Sequence, residues 1–215
     1  MTSKRKNFTQ ENRSTRDLIL DIAEQEIAKK GVEGLKLKDV AEQVGVQLPS
    51  IYAHFSSRKE VLEALADRLM DDLLIIYHDI KALPPMEGLL ASAEKTIEFY
   101  VTHCGYARLL LADFPAPFEY SVFNKCSSKI QEVLVVMGDM INRGVEEGTV
   151  RQVPPDLLLS FRMGITLFPL FMRSDIGRKE MVTDAVIIER ITRESLSLLR
   201  QFLEPVRNEN GACLT

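Results

Sequence analysis

Residues 35–62 constrain the fold of this chain more strongly than any other stretch. Apolar residues recur at helical spacing over about 37–44 and again over about 48–55, and Gly45 separates the two segments. Ala41 is small where the two helices would cross, and Gly45 can adopt the positive φ that a tight turn needs. The spacing therefore predicts a helix-turn-helix.

Helical periodicity continues on both sides of this motif. Ser14 or Thr15 is placed to cap a first helix over 15–30, and Ser57 and Glu60 have the capping-box spacing that opens a long fourth helix. Later helices are predicted over 87–103, from there to about 113, and over 121–147, 154–172 and 184–203. No stretch of useful length alternates as a strand does, so the chain is predicted to be all-α with about nine helices.

The helical pattern divides the chain into two folded parts. We expect a helix-turn-helix domain over 14–60 and a helical C-terminal domain over 61–205. The polar residues 1–13 are expected to be a flexible arm, and residues 206–215 a flexible tail. An irregular connector is predicted over 114–118, because two prolines two residues apart cannot continue a helix.

The charge distribution is compatible with nucleic-acid binding. The chain carries a net charge of −4. Residues 1–60 contain 11 Lys and Arg and 9 Asp and Glu, a net +2, so the remainder carries −6. Since only a docking surface must be positive, an acidic body behind a mildly basic front permits DNA binding without requiring it.

Three features of the sequence favour a cytoplasmic protein with no membrane partner. The three cysteines form no CxxC pair, so we expect a reducing compartment and no disulfide framework. The polar N-terminal segment predicts no secretory signal. The longest apolar run, 157–172, is interrupted by Arg162 and is shorter than the roughly 20 residues of a membrane span.

The run LKLKDVAEQVGVQLPSIYAHFSSRKEVL resembles the DNA-binding segment of the TetR family. The residues that carry the resemblance are Asp39, Val40, Ala41, Gly45, Val46, Ser50, Ile51, Tyr52, His54, Phe55, Arg58, Val61 and Leu62. The C-terminal two thirds resemble the family in helix count and length only. The resemblance implies a sequence-specific DNA-binding transcription regulator. By the default of that family, it would be a ligand-responsive repressor that binds a palindromic operator as a homodimer.

Two positions depart from the usual family pattern. Lys36 stands where the family commonly has a threonine that caps the second helix, and a lysine has no side-chain oxygen with which to do so. Gln47 stands where the family often has a serine. The glutamine is a weaker cap, but its side chain can reach a base.

The start of the third helix is the expected base-reading element. The N-terminal residues of a recognition helix face base edges, which points to Gln47, Leu48 and Ser50. A glutamine can bond adenine through two hydrogen bonds, and Leu48 can contact a thymine methyl group. The resemblance adds Lys38 on the second helix, which would reach a guanine at the groove edge.

The resemblance also assigns Tyr52, His54 and Arg58 to the DNA phosphate backbone. Such contacts fix the register of the protein and supply salt-dependent affinity. The alternative for Tyr52 and His54 is ordinary packing between helices. The alternative for Arg58 is a solvated charge, although a cation in a first helical turn opposes the helix dipole, which favours the phosphate contact.

The late helices predict a homodimer. Residues 157–172 are apolar on all sides, so a helix there must be covered all round, and a second subunit is the natural cover for one side. By the resemblance, the last two long helices form a four-helix dimer interface. The residues assigned to that interface are Phe161, Ile165, Phe168, Ile188, Ile191, Leu199 and Phe202.

A group of aromatic and methionine residues between these helices and the DNA-binding segment predicts a pocket for a small, mainly apolar effector. Tyr100 and His103 would donate hydrogen bonds to it. The alternative for each residue alone is ordinary core. The predicted pocket residues are Phe99, Tyr100, His103, Phe114, Phe118, Phe123, Met137 and Met140.

Two other function classes are alternatives to a ligand-responsive regulator. An all-α enzyme is disfavoured, because His103 and Cys104 are neighbours that point about 100° apart on a helix and cannot form a nucleophile–base pair. His78 and Asp79 fail as a metal pair for the same reason, and no HExxH or GxGxxG motif occurs. We therefore expect no catalysis, metal or cofactor. A ligand-independent architectural DNA-binding dimer stays open, as do the operator and the effector.

Overall fold

The computed structural model describes residues 14–114, 117–172 and 184–205, and these residues form α-helices and short 3-10 turns without a strand. The all-α prediction is confirmed within these ranges, and the expected arm and tail lie outside them. The helices are α1 (Thr15–Lys30), α2 (Leu37–Val44), α3 (Leu48–His54), α4 (Arg58–Ile80), α5 (Pro85–Thr102), α6 (Cys104–Asp113), α7 (Ser127–Glu146), α8 (Pro155–Met172) and α9 (Ala185–Leu203).

Side-chain caps set the beginnings of α1 and α4. The Ser14 hydroxyl oxygen accepts a hydrogen bond from the Asp17 backbone N–H at 3.1 Å. The Ser57 hydroxyl oxygen accepts from the Glu60 backbone N–H at 3.2 Å, and the Glu60 carboxylate accepts from the Ser56 backbone N–H at 2.7 Å. Because these bonds satisfy backbone donors that a helix leaves free, both helices begin where the sequence predicts.

Helix α7 begins at Ser127, later than the predicted start at position 121. The Asp113 carboxylate at the end of α6 accepts hydrogen bonds from the Ser121 hydroxyl and from the Val122 backbone N–H. The Ser121 hydroxyl oxygen in turn accepts from the Phe123 backbone N–H at 3.0 Å. These bonds hold the segment as a turn, although its apolar residues continue the helical period.

The C-terminal helices form one core around α5. Helix α5 packs against α4, α7, α8 and α9, and α9 also lies against α8. Tyr77 of α4 and Leu89 and Ile97 of α5 are among the largest fully buried side chains. A cavity remains between α4, α5, α6, α7 and α8.

Helix α6 joins this core to the first helix. The Gly105 backbone N–H donates to Glu24 Oε1 at 2.8 Å, and a Cβ at Gly105 would lie only 2.2 Å from the Glu24 carbonyl oxygen. Arg68 of α4 donates to the Tyr106 hydroxyl and, at 2.8 Å, to Asp21. Burial raises the pKa of Tyr106 to about 12, so its hydroxyl stays neutral. The N-terminal domain is therefore anchored to α4 and α6 through α1.

Candidate nucleic-acid interface and ligand cavity

The turn between α2 and α3 has the geometry that the sequence predicts. Gly45 adopts φ +80° and ψ 29°, in the left-handed region that favours glycine. The backbone N–H groups of Gly45 and Val46 both donate to the Ala41 carbonyl oxygen at 3.0 Å. Val40 and Ile51 are completely buried beneath the two helices. The opposite side of α3 is thereby held outward.

The outward side of α3 carries the residues predicted for DNA. Tyr52 is 50 % exposed, and His54 and Gln47 are also exposed. The Gln47 side chain makes no capping bond to α3, so it is available to a base. Ser50 is half-buried, and Leu48 packs partly against the core, which limits the part of Leu48 that a thymine methyl can meet.

The two lysines at the start of α2 point into solvent. The Lys36 side chain makes no capping bond, as its chemistry predicts. The Lys38 side chain is 76 % exposed, and its ammonium lies 3.9 Å from the Glu42 carboxylate on the same helix. An ion pair this exposed to solvent contributes little, so the Lys38 side chain can turn towards a groove of DNA.

Lys30 links α1 to α2, and the sequence reasoning missed it. Its ammonium lies 2.5 Å from Glu26 and 2.9 Å from Asp39. The hydrogen bond from Lys30 is the main reason that the pKa of the buried Glu26 carboxyl is lowered. Asp39, one of the residues that carry the family resemblance, therefore helps to set the angle of α2 against α1.

The structure corrects the prediction for Arg58. Its guanidinium turns back into the protein, where Nε donates to the Leu35 carbonyl at 3.2 Å and Nη2 donates to the Val32 carbonyl. These carbonyls belong to the segment between α1 and α2. In the free protein Arg58 thus ties α4 to that segment, where the two carbonyls and the Glu33 carboxylate, 4.0 Å from Nη2, face its positive charge.

We expect Arg58→Met to lower the free energy of unfolding by about 1–3 kcal/mol, because two carbonyls lose a charged donor. Lys59→Met is the matched control. The neighbouring Lys59 is 60 % exposed and has an ion pair only at 3.8 Å, so its change should cost less than about 0.5 kcal/mol. Urea unfolding of both variants measures the difference. Unchanged stability in Arg58→Met, with DNA affinity alone reduced, would restore the phosphate assignment.

The predicted effector residues separate into two groups. Tyr100, Phe114 and Phe123 line the cavity, whose volume is about 260 Å³. Phe99 and His103 lie elsewhere, with their rings 4.8 Å apart and Phe99 stacked on Tyr106. They belong to a separate aromatic cluster because they point away from the cavity on their helix. This corrects the prediction for that pair.

Two further predicted pocket residues do not line the cavity. Met137 and Met140 are buried in the core and do not line the cavity. The Phe118 side chain lies outside the part of the chain that the structure describes. The polar lining residues that sequence reasoning missed are Tyr77, Thr96, Asp113, Ser121, Arg162 and Thr166. The available signal was Arg162 itself, a lone charge in an otherwise apolar helix.

Several residues predicted for a dimer interface pack within their own chain. Ile191 and Leu199 are 3 % and 1 % exposed, because they face α5 and α8. Phe161 and Phe202 stack on each other with their ring centroids 4.2 Å apart. Ile188 is half-buried. This corrects the prediction for Ile191 and Leu199, which belong to the intrachain core.

Another line of residues forms the exposed apolar surface of α8 and α9. Leu157 is 53 % exposed, Phe168 39 % and Leu198 49 %. Gly164 lies between them and is exposed, and a Cβ there would meet nothing within 4 Å. Ile165, half-buried, lines the same groove between the two helices. We call Leu157, Gly164, Phe168 and Leu198 the α8–α9 face.

Neither a membrane span nor a metal site is found in the residues that the structure describes. No helix there is both long and apolar enough to cross a bilayer. No group of three or more His, Cys, Asp or Glu side chains is placed to hold a metal ion in the same ranges.

A family model and several curated relatives match this chain in sequence. The family model "Bacterial regulatory proteins, tetR family" matches residues 19–65. The HTH-type transcriptional repressor KstR2 of Mycobacterium tuberculosis is 26 % identical over 151 residues, which cover 67 % of this chain and 72 % of KstR2. The HTH-type transcriptional regulator TtgR of Pseudomonas putida is 40 % identical over 60 residues, 28 % of this chain and 29 % of TtgR.

Comparison with solved structures extends the likeness to the whole fold. The structure of KstR2 from M. tuberculosis covers 91 % of this chain and 98 % of its own, with a TM-score of 0.68 and 20 % identity. FadR of Bacillus subtilis in complex with stearoyl-CoA covers 86 % of this chain and 98 % of its own, with a TM-score of 0.66 and 18 % identity. The chain thus has the fold of these proteins, while its sequence similarity is strongest around α1 to α4.

Proposed function

We propose that this chain is a ligand-responsive repressor of the TetR family of bacterial transcriptional regulators and that it binds operator DNA as a homodimer. The observation that carries the proposal is the outward side of α3, where Gln47, Tyr52 and His54 stand exposed on a helix held from beneath by buried Ile51. The name of KstR2 as a repressor, and the stearoyl-CoA bound by FadR, support the same function here.

The DNA-facing residues take two roles in this proposal. Gln47 and Ser50, with Lys38 at the groove edge and the exposed part of Leu48, read bases in the major groove. Tyr52 and His54 hold the phosphate backbone. Arg58 supports this surface from behind rather than contacting DNA. No catalytic role is proposed, since the relatives are regulators, and the site of action is the cytoplasm, where bacterial DNA lies.

The α8–α9 face is the proposed dimer interface. Its exposed apolar residues need a cover, and a second copy related by a two-fold axis would bring the same line of side chains against itself. Small Gly164 would let the helices of the two copies approach closely. The pair would present two α3 helices to half-sites about 34–36 Å apart, one turn of DNA, or a multiple of that spacing.

Helices α4 and α6 are the proposed connection between the cavity and the DNA-binding domain. Helix α4 begins at Arg58, which is bonded to the segment before α2, and carries Tyr77 in the cavity lining near its other end. Helix α6 contacts α1 through Gly105 near its beginning and ends at Asp113 in the same lining. The proposed domain boundary near residue 60 therefore falls inside the continuous helix α4. Because α4 and α6 both contact the N-terminal domain, a ligand that displaces either helix would also move α1.

Selection of bound duplexes from a random DNA pool tests this function. We expect an enriched palindrome from the wild-type protein. Gln47→Ala should relax the preference at one base pair in each half-site, costing about 1–3 kcal/mol there, because a base-reading side chain is lost. Gln25→Ala, the same change at an exposed position of α1, is the matched control and should leave the consensus intact.

Two outcomes would contradict the proposal. If the wild-type protein enriches no sequence from the pool, it is not a sequence-specific regulator. If Gln47→Ala weakens binding to every sequence equally, then the assignment of Gln47 to base reading is wrong.

A further inference from the structure

The cavity in the C-terminal domain is largely apolar with a few convergent polar groups. Its volume of about 260 Å³ is slightly below the range of about 300–1,000 Å³ that is usual for ligand pockets, so it suits a small ligand. Most of its wall is formed by leucine and methionine side chains from α4, α6 and α8, by Ile130 and Val133 of α7, and by aromatic side chains. The polar groups of Tyr77, Tyr100 and Arg162, which belong to α4, α5 and α8, lie near one another on one side of the cavity.

Arg162 is the unusual group in this wall. It is only 4 % exposed, yet among the described residues its guanidinium makes one hydrogen bond of standard geometry, from Nη1 to the Ser92 hydroxyl oxygen at 3.1 Å, with the Tyr77 hydroxyl also near it. Its guanidinium carbon also lies 5.2 Å from the centre of the Tyr77 ring. No carboxylate of the described residues lies within ion-pair distance of it. A guanidinium has five N–H donors and stays charged, so most of its hydrogen-bonding capacity is unused.

Burying an unpaired positive charge costs free energy, and a bound anion would offset that cost. Asp113 is the acidic residue of the cavity lining, but its carboxylate oxygens already accept hydrogen bonds from Ser121 and Val122. Those bonds hold the connector before α7. The protein therefore surrounds a cation with apolar side chains and supplies its counter-charge from none of the described residues.

Two tyrosine hydroxyls lie on the same side of the cavity. The buried hydroxyl of Tyr77 has no partner that meets hydrogen-bond geometry among the described residues. Burial raises the pKa of both Tyr77 and Tyr100, so both keep their proton and can donate it. The hydroxyls of Thr96 and Thr166 are already used, since they donate to the carbonyls of Ser92 and Arg162.

We propose that the effector is a small, mainly apolar carboxylic acid whose carboxylate pairs with Arg162 and accepts from Tyr77, while its apolar body fills the rest of the cavity. This inference rests on the proposed function, because it names the ligand class of the proposed regulator. A planar carboxylate matches the fork of guanidinium donors, and the apolar wall would strengthen the pair by excluding water.

The proposal makes a prediction that needs no ligand. Arg162→Met should raise the melting temperature of the ligand-free protein by at least about 2 °C, since it replaces an unpaired buried charge by an apolar side chain of similar length. The Ser92 hydroxyl still donates to the Leu89 carbonyl at 2.7 Å, so the change leaves no additional free donor at Ser92. Arg193→Met, at an exposed position of α9, is the matched control and should change it little.

Ligand binding is tested by thermal shift with acids of different shapes. The probes are octanoic, 4-phenylbutyric and 2-naphthylacetic acids, each beside its primary alcohol, together with octanoyl-CoA. We expect at least one acid to raise the melting temperature of the wild-type protein, and its alcohol to bind at least about 30-fold more weakly. The shift should disappear in Arg162→Met and persist in Arg193→Met.

Four results would overturn the inference. They are a lower melting temperature in ligand-free Arg162→Met, equal shifts with acids and alcohols, no shift with any acid, and a shift with octanoyl-CoA alone. Duplex selection on the same protein separates this inference from the proposed function. If operators are selected and no acid binds, only the ligand class is wrong. If no duplex is selected, the regulatory function is wrong, and the thermal shifts still decide whether Arg162 holds a carboxylate.

Discussion

Gly164→Arg is expected to make the protein monomeric and to weaken its binding to the selected operator by about 10²–10⁴-fold. The loss follows from avidity: two linked reading heads bind one duplex together, whereas a monomer must bind each half-site separately. An arginine on the α8–α9 face would place a charge between Leu157, Phe168 and Leu198, which the proposed partner covers.

The position suits this test because the monomer can accept the change. Gly164 is exposed, and a Cβ there would meet no atom within 4 Å. Replacing glycine inside a helix also favours the helix by about 1 kcal/mol. A loss of dimer in Gly164→Arg is therefore not a loss of fold.

Sedimentation equilibrium measures the mass of the wild-type protein and two variants. Gly164→Ala is the graded comparison: a methyl group adds no charge to the face but limits how closely the two copies approach, so it should weaken the dimer less than Gly164→Arg does. A Gly164→Arg protein that remains a dimer and binds the operator normally would place the interface elsewhere on the molecule.

Tyr52→Ala is expected to weaken binding to every duplex by about 10–150-fold while leaving the order of preferred sequences unchanged. The proposed contact is a hydrogen bond from the Tyr52 hydroxyl to a phosphate, and bonds to charged groups contribute about 1.5–3 kcal/mol. Phosphate carries no sequence information, so the loss should be uniform.

Fluorescence anisotropy with the selected operator and with point-substituted duplexes measures this effect. Tyr120→Ala is the matched control, because Tyr120 is 68 % exposed and belongs to the 3-10 turn Phe118–Tyr120, outside the helix-turn-helix. If Tyr52→Ala instead changes which sequence is preferred, Tyr52 reads bases. If Tyr52→Ala binds all duplexes as the wild-type protein does, the residue does not contact DNA.

Local signals in the sequence predicted the N-terminal domain closely. Gly45 needs a positive φ, and the serines before α1 and α4 cap those helices through neighbouring backbone groups. Such effects act over three or four residues, so a sequence displays them directly. The start of α7 was missed because it depends on Asp113, which precedes Ser121 by eight residues and captures it from the end of another helix.

The candidate sites were harder to predict because they depend on which way each helix faces. Tyr100 and Phe99 are adjacent in sequence, yet only Tyr100 lines the cavity. Ile191 and Leu198 both belong to the apolar surface of α9, but one is buried by α5 and α8 and the other is exposed. Arg58 was assigned to DNA from its charge and position, whereas its partners are carbonyls more than twenty residues earlier.

Photo-crosslinking from position 47 tests whether α3 enters the major groove of operator DNA as one of a symmetric pair. A photoreactive amino acid in place of Gln47 would be irradiated in complex with the selected operator, and the modified bases mapped on both strands. We expect crosslinks in the major groove at two places related by the palindrome, about one helical turn or a multiple of it apart. Crosslinks at a single place, crosslinks confined to the minor groove, or none from a bound protein would contradict it.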